Sequence, residues 1–178
     1  MAILKIARMG HPLLIREASP VTDPTTPEIR QLVADMAETM EDASGLGLAA
    51  PQIHAGLRLF VWRGGAGNIL AIINPEIEAL GPETEEGWEG CLSIPGLRGC
   101  VPRATHIGFR GLDIQGKAFE GEATGLAARV MQHEADHLDG VLYPMRMPDL
   151  SLFGFTEDLQ RAAAMVRAPN PAKTENAK

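Results

Sequence analysis

The sequence predicts a single α+β domain, with antiparallel or mixed β-sheets packed around a central helix and further helices near each terminus. Three observations predict it. The 178 residues suit one domain with a core of its own. Segments of strand character cluster together rather than alternating with helical ones, which disfavours a doubly wound sheet. The stretch "MQHEADHLDG", residues 131–140, sets His133 and His137 on one face of a helix. The expected domain spans residues 1–168. Residues 169–178, polar and Pro-containing, are expected to be a mobile tail.

"TTPEIRQLVADMAETMED" reads as the first helix. Thr25 and Glu28 have capping-box spacing, Pro27 suits the first turn, and Ile29, Leu32, Val33, Met36 and Met40 form an apolar stripe. "LRLFVWR" and "NILAIINPEI" read as strands joined by the turn "GGAG". "THIGFRGLDIQGKAFEGEATG" reads as two more strands around Gln115-Gly116. The central helix is expected from Gly125 to His137, stopping near Gly140, and "TEDLQRAAAMVR" as the last helix.

Hydrophobic residues make up 45% and charged residues 22%, the balance of a soluble globular protein. A net charge of −7 argues against a nucleic-acid binder working through a broad basic surface. No run approaches the ~18 apolar residues of a membrane span. "MAILKIARMG" has neither the basic leader nor the long apolar stretch of a signal peptide, so the expected location is the cytoplasm. In that reducing compartment a disulfide between Cys91 and Cys100 is not expected.

On a helical wheel of about 100° per residue, His133 and His137 emerge from an apolar stripe shared with Leu126 and Val130. Glu134 sits to one side. Two histidines at this spacing can grip one metal ion, with the Glu beside them as a base. The third ligand has several candidates. Downstream stand Asp139, Asp149, Glu157, Asp158 and Glu175; upstream, "EGCLS" offers Cys91, a thiolate of high affinity for such ions. Cys91 is preferred, and Cys100 is expected to be buried and inert. Three protein ligands leave one tetrahedral position for water, as a catalytic site requires.

"GLGLAAPQ", residues 45–52, formally matches a dinucleotide fingerprint through Gly45, Gly47 and Ala50. Its context is wrong, because a helix precedes it and Pro51 follows. The better reading is backbone that approaches a ligand closely, with the Gln52 amide as an oxyanion donor.

Taken together, "GLGLAAPQ", "EGCLS" and "HEADH" resemble the three motifs of the peptide deformylases, in order and with similar spacing. "HPLL", "INPEI" and "SIPGLRGCVPR" add to the likeness, which covers roughly residues 3–147. The resemblance implies a metal-dependent hydrolase that removes the formyl group from the N-terminal formyl-methionine of new polypeptides. It implies Cys91, His133 and His137 as metal ligands and Glu134 as general acid/base. Gln52 and the Leu92 N–H would stabilise the oxyanion. The backbone of Leu46, Gly47 and Gly90 would meet an extended peptide, and Leu126 and Val130 would line the methionine pocket. Arg129, on the same face, does not suit an apolar pocket and is expected to project over its rim. The implied metal is Fe2+, with Zn2+, Ni2+ or Co2+ as substitutes. The implied substrate also brings the enzyme near the ribosome, though the acidic chain gives that encounter little electrostatic help. The alternative functions are a zinc-type metallopeptidase using the same His-Glu-x-x-His site and a non-enzymatic metal-stabilised module.

Overall fold

The computed structural model describes residues 2–65 and 67–167, with side chains through residue 162. The expected tail, 169–178, lies outside them. The helices are α1 (Pro27–Asp42), α2 (Gly125–Leu138) and α3 (Thr156–Arg167). The strands are β1 (Gly47–Ala49), β2 (Leu59–Arg63), β3 (Ile69–Ala79), β4 (Thr84–Cys91), β5 (Ile94–Ala104), β6 (His106–Leu112), β7 (Ala118–Thr124) and β8 (Phe153–Phe155). One antiparallel sheet has the order β1-β2-β3-β6-β7, and a second has β4-β5-β8. This is an α+β arrangement with α2 at its centre.

The unbroken apolar run of β2 has a physical reason. Successive side chains point to opposite faces, and both faces are covered. Leu59 and Val61 pack with Met36 and Met40 of α1. Phe60 and Trp62 pack with Ala128, Met131 and Leu138 of α2. Each fully buried side chain of this size stabilises the fold by roughly 1.5–3 kcal/mol. A third cluster, Leu14, Ile94, Val101, Leu142 and Tyr143, lies against the smaller sheet.

Two details fix α2 in place. The Gln132 amide accepts from Ala104 N–H (3.1 Å) and donates to Ala104 O (2.9 Å), clamping the helix to the end of β5. Past the helix, Gly140 has φ +70° and lies so close to Arg16 that a Cβ would fall 2.8 Å from its nitrogen. A side chain there would push the helix end outward.

The structure departs from the sequence reading in three places. The cap of α1 is Thr26, whose Oγ1 accepts from Ile29 N–H, while Thr25 bonds to Asp23 instead. A capping box from Thr25 to Glu28 therefore does not form. Residues 84–104 are a long hairpin that no strand reading covered. The short edge strands β1 and β8 were also missed; three residues carry too little periodicity to show.

Candidate metal centre and peptide groove

The hairpin and α2 pack together, with Arg129 and Gln132 of the helix bonded to Val101 O and Ala104 O. Cys91 ends β4, and His133 and His137 project from α2 on successive turns. One donor atom from each of the three lies within 4.8 Å of the others. Cys91 Sγ and His137 Nε2 are 3.2 Å apart. A thiolate and two imidazoles converging in this way suit a divalent transition metal. His133 Nδ1 donates to Glu89 Oε2 at 2.8 Å, so its Nε2 is the atom left for a metal.

Burial alone would lower the His133 pKa. Hydrogen bonds with Cys91 and Glu89 outweigh it and hold the ring at about 10 without a metal. A cation bound at Nε2 would take the place of that proton. His137, fully buried, is held well below the usual histidine range by burial and by His133. Burial would likewise raise Glu89, but hydrogen bonds from His133 and Arg103 bring it down to about 2. Burial pushes Glu134 up to about 7, and its Oε2 has no hydrogen-bond partner among the described residues.

Gln52 closes another side. Its Oε1 accepts from Ala49 N–H (2.9 Å), which turns Nε2 toward Cys91 Sγ (3.4 Å) and Ser93 Oγ (3.1 Å). The N-terminal segment holds both loops, since Ala7 N–H donates to Gln52 O and Met9 N–H to Ser93 O. Leu92, between β4 and β5, packs its side chain against Gly45, where a Cβ would meet Leu92 Cδ1 at 3.0 Å. The two motif loops are thereby drawn together.

A groove of about 540 Å³ runs over the centre. It is lined by Leu46, Gly47, Gln52, Gly90, Cys91, Leu92, Leu126, Val130, His133 and Glu134, together with Trp88, Arg98 and Thr156. Every expected site residue except His137 lines it, and His137 sits beneath as a buried member of the metal set. A larger depression of about 690 Å³ lies across β3, β6 and β7. Its lining includes Glu76, Glu78, Glu120 and Glu122 with Arg110, and holds none of the three candidate metal ligands.

The other candidates stand elsewhere. Asp139 pairs with Arg58, Asp149 caps Ser151, and Glu157 and Asp158 pair with Arg161. Glu175 lies outside the described residues. Cys100 is buried opposite Trp88, its thiol pKa raised mainly by burial. The glycine loop leads into a 3₁₀ helix, Ala50–Ile53, not into the α-helix a dinucleotide site needs. Arg129 does not project over the rim. It reaches onto the hairpin and is mostly buried.

Sequence reasoning passed over the charges beneath the centre. Arg103 forks onto both oxygens of Glu89 (2.9 and 3.0 Å) and reaches Asp136 at 2.6 Å. Arg146 adds two bonds to Asp136. The available signal was that Glu89 and Asp136 lie inside the motifs, within two residues of candidate ligands, and that Asp136 stands on a helix too apolar for unpaired charge.

The fold and site define a metal-dependent hydrolase with an open groove over the candidate centre. The polypeptide deformylase family model matches residues 3–152. Peptide deformylase 1 of Bordetella pertussis is 51% identical over 163 residues, covering 86% of this chain and 93% of that protein. The peptide deformylase structure from Thermotoga maritima is similar with a TM-score of 0.79 at 40% identity, covering 83% of this chain and 99% of that one. The Met-Ala-Ser-bound class I type b enzyme of Acinetobacter baumannii is similar at 0.76 and 34% identity, covering 82% and 98%. This chain belongs to the polypeptide deformylase family. It is an enzyme that removes the N-formyl group from nascent polypeptides, and the metallopeptidase alternative is not favoured. Among the described residues no helix is long and apolar enough to cross a membrane.

Proposed function

We propose that Cys91, His133 and His137 hold one divalent ion, Fe2+ in the cell with Zn2+, Ni2+ or Co2+ as substitutes, and that Glu134 is the general acid/base. The convergence of three donor atoms beside a buried carboxylate carries this reading. When bound, the ion supplies a water of lowered pKa and a Lewis acid for the formyl oxygen. Glu134 accepts the proton of the attacking water and delivers it to the departing methionine nitrogen. Gln52 Nε2 and the Leu92 N–H donate to the oxygen that becomes negative as the formyl carbon turns tetrahedral. Formate and a free amino terminus result.

The peptide adds as a strand along the open edge of β1. Leu46 C=O accepts from Arg63 N–H at 2.9 Å, which anchors to β2 the loop whose backbone meets the substrate. Gly90 faces it across the groove, and Gly47 lets the backbone pass close to Glu134. Leu126, exposed at the rim, and Val130, deeper, receive the methionine side chain. The Met-Ala-Ser carried by the Acinetobacter enzyme supports such an occupant. The reaction takes place in the cytoplasm, close to the ribosome that supplies the substrate. The test is metal analysis of anaerobically purified protein combined with formate release from formyl-Met-Ala-Ser. Release without bound metal would overturn the assignment of the centre.

A further inference from the structure

Arg129 breaks the apolar wall of the groove, and its side chain is committed elsewhere. Nη1 donates to Val101 O (2.7 Å), Glu89 Oε1 (2.9 Å) and Gly87 O (3.4 Å), and Nη2 donates to Glu85 O (2.6 Å). The acceptors come from both strands of the β4–β5 hairpin. The hairpin is shaped to receive it: a Cβ on Gly87 would lie 2.7 Å from Arg129 Cζ.

We propose that Arg129 is a positioning residue for the metal centre. It fixes the hairpin that carries Cys91 against the helix that carries both histidines, and it locks the carboxylate that aims His133. The inference rests on the metal-ligand reading above. Arg129 stands one turn before His133 on α2, so a bond from it to the hairpin sets the helix-to-hairpin distance where the ligands meet. Its second effect passes through Glu89. Arg103 grips both oxygens of Glu89 from the core side. A carboxylate held by one guanidinium can still rock about that grip. Arg129 on Oε1 removes this freedom and keeps Oε2 on His133 Nδ1. A planar guanidinium can serve both strands and the carboxylate at once, which an ammonium cannot match.

The test compares wild type, Arg129→Met and Arg129→Lys. Met keeps an unbranched apolar stem in the groove while removing every donor. Three readouts are taken on folded, metal-loaded protein: release of the ion to a chelator, the visible spectrum of the Co2+-loaded form, and kcat and KM for formyl-Met-Ala-Ser. Loss of an outer partner of a metal ligand costs about 10–100-fold in metal affinity or activity. For Arg129→Met we expect ion release to quicken about tenfold, kcat to fall by a similar factor, KM to stay within about twofold, and the cobalt bands to shift. Arg129→Lys should recover part of the ion retention by pairing with Glu89. A lowered melting temperature with unchanged ion release, cobalt spectrum and kcat would overturn the proposal and leave Arg129 a merely structural strut. Failure of the wild type to release formate would count against the enzyme reading alone, because ion release and spectrum do not depend on turnover.

Discussion

Gly47 and Glu134 touch so closely that no side chain fits between them: a Cβ on Gly47 would fall 2.6 Å from Glu134 Cδ. The glycine of an edge strand is thus the floor on which the buried carboxylate rests. Gly47→Ala should push Glu134 off its position. Overpacking typically costs about 1–3 kcal/mol of stability, and a shift near 1 Å at a reacting group can cost about 10²-fold in rate. The expected result is a folded, metal-loaded protein with kcat reduced by about that factor. Wild-type kcat in Gly47→Ala would mean that Glu134 has room to retreat without consequence.

Glu134→Gln keeps the volume and removes the base. Glu134 flanks the ligands without joining the set. Its Oε2 makes no hydrogen bond among the described residues, so the amide strands no partner there. Metal content should match wild type while formate release falls by about 10²–10⁴-fold. Loss of the metal would show that this carboxylate is a ligand.

The two cysteines should separate cleanly. Cys91→Ser replaces a thiolate with an alcohol that stays protonated at neutral pH and ligates poorly. Metal should be lost or changed in kind, and activity should become very low. Cys100→Ser places a hydroxyl at a buried position on β5, so its cost is in stability, about 1–3 kcal/mol if the hydroxyl finds no partner. Metal content and kcat should survive. Swapped outcomes in a metal assay would reassign the thiolate ligand.

The sequence showed what depends on local spacing. His133, Glu134 and His137 were legible because one helix carries them, and Gln52 and Cys91 because each sits in a compact motif. Helix α2 ends where Gly140 said it would, β2 and β3 follow their apolar runs, and β6 and β7 flank the turn at Gln115-Gly116. The β4–β5 hairpin was hidden by its own punctuation. Gly87 is there for Arg129. Gly99 backs onto Met147 and Tyr143, where an added Cβ would lie 2.9 Å from Met147 Cε and 3.0 Å from Tyr143 Cε2. Neither glycine marks a turn, and only the tertiary partner tells the two uses apart. The charges of Glu89, Arg103, Asp136 and Arg146 were hidden for the same reason, since they pair across different elements. Arg129 was misjudged because a helical wheel gives the direction of a side chain but not its reach.

Tyr143 offers a stability test beneath the metal centre. Its ring lies roughly parallel to His133, with centroids 6.0 Å apart and planes at 26°, and meets Phe153 edge-on at 6.2 Å. The residue is almost wholly buried, yet its hydroxyl has no hydrogen-bond partner among the described residues. An unsatisfied buried hydroxyl carries a desolvation cost of about 1–3 kcal/mol. Tyr143→Phe keeps the ring and removes that cost, so it should leave stability unchanged or raise it by up to that amount. Tyr143→Ala removes the ring from the third core cluster and from the face of His133, and should cost about 3–5 kcal/mol. Urea unfolding of the three metal-loaded proteins measures both. The two substitutions act in opposite directions only if the ring, and not the hydroxyl, supports the centre. A Tyr143→Phe variant destabilised by more than about 1 kcal/mol, the typical net worth of one hydrogen bond, would show that the hydroxyl is bonded in solution.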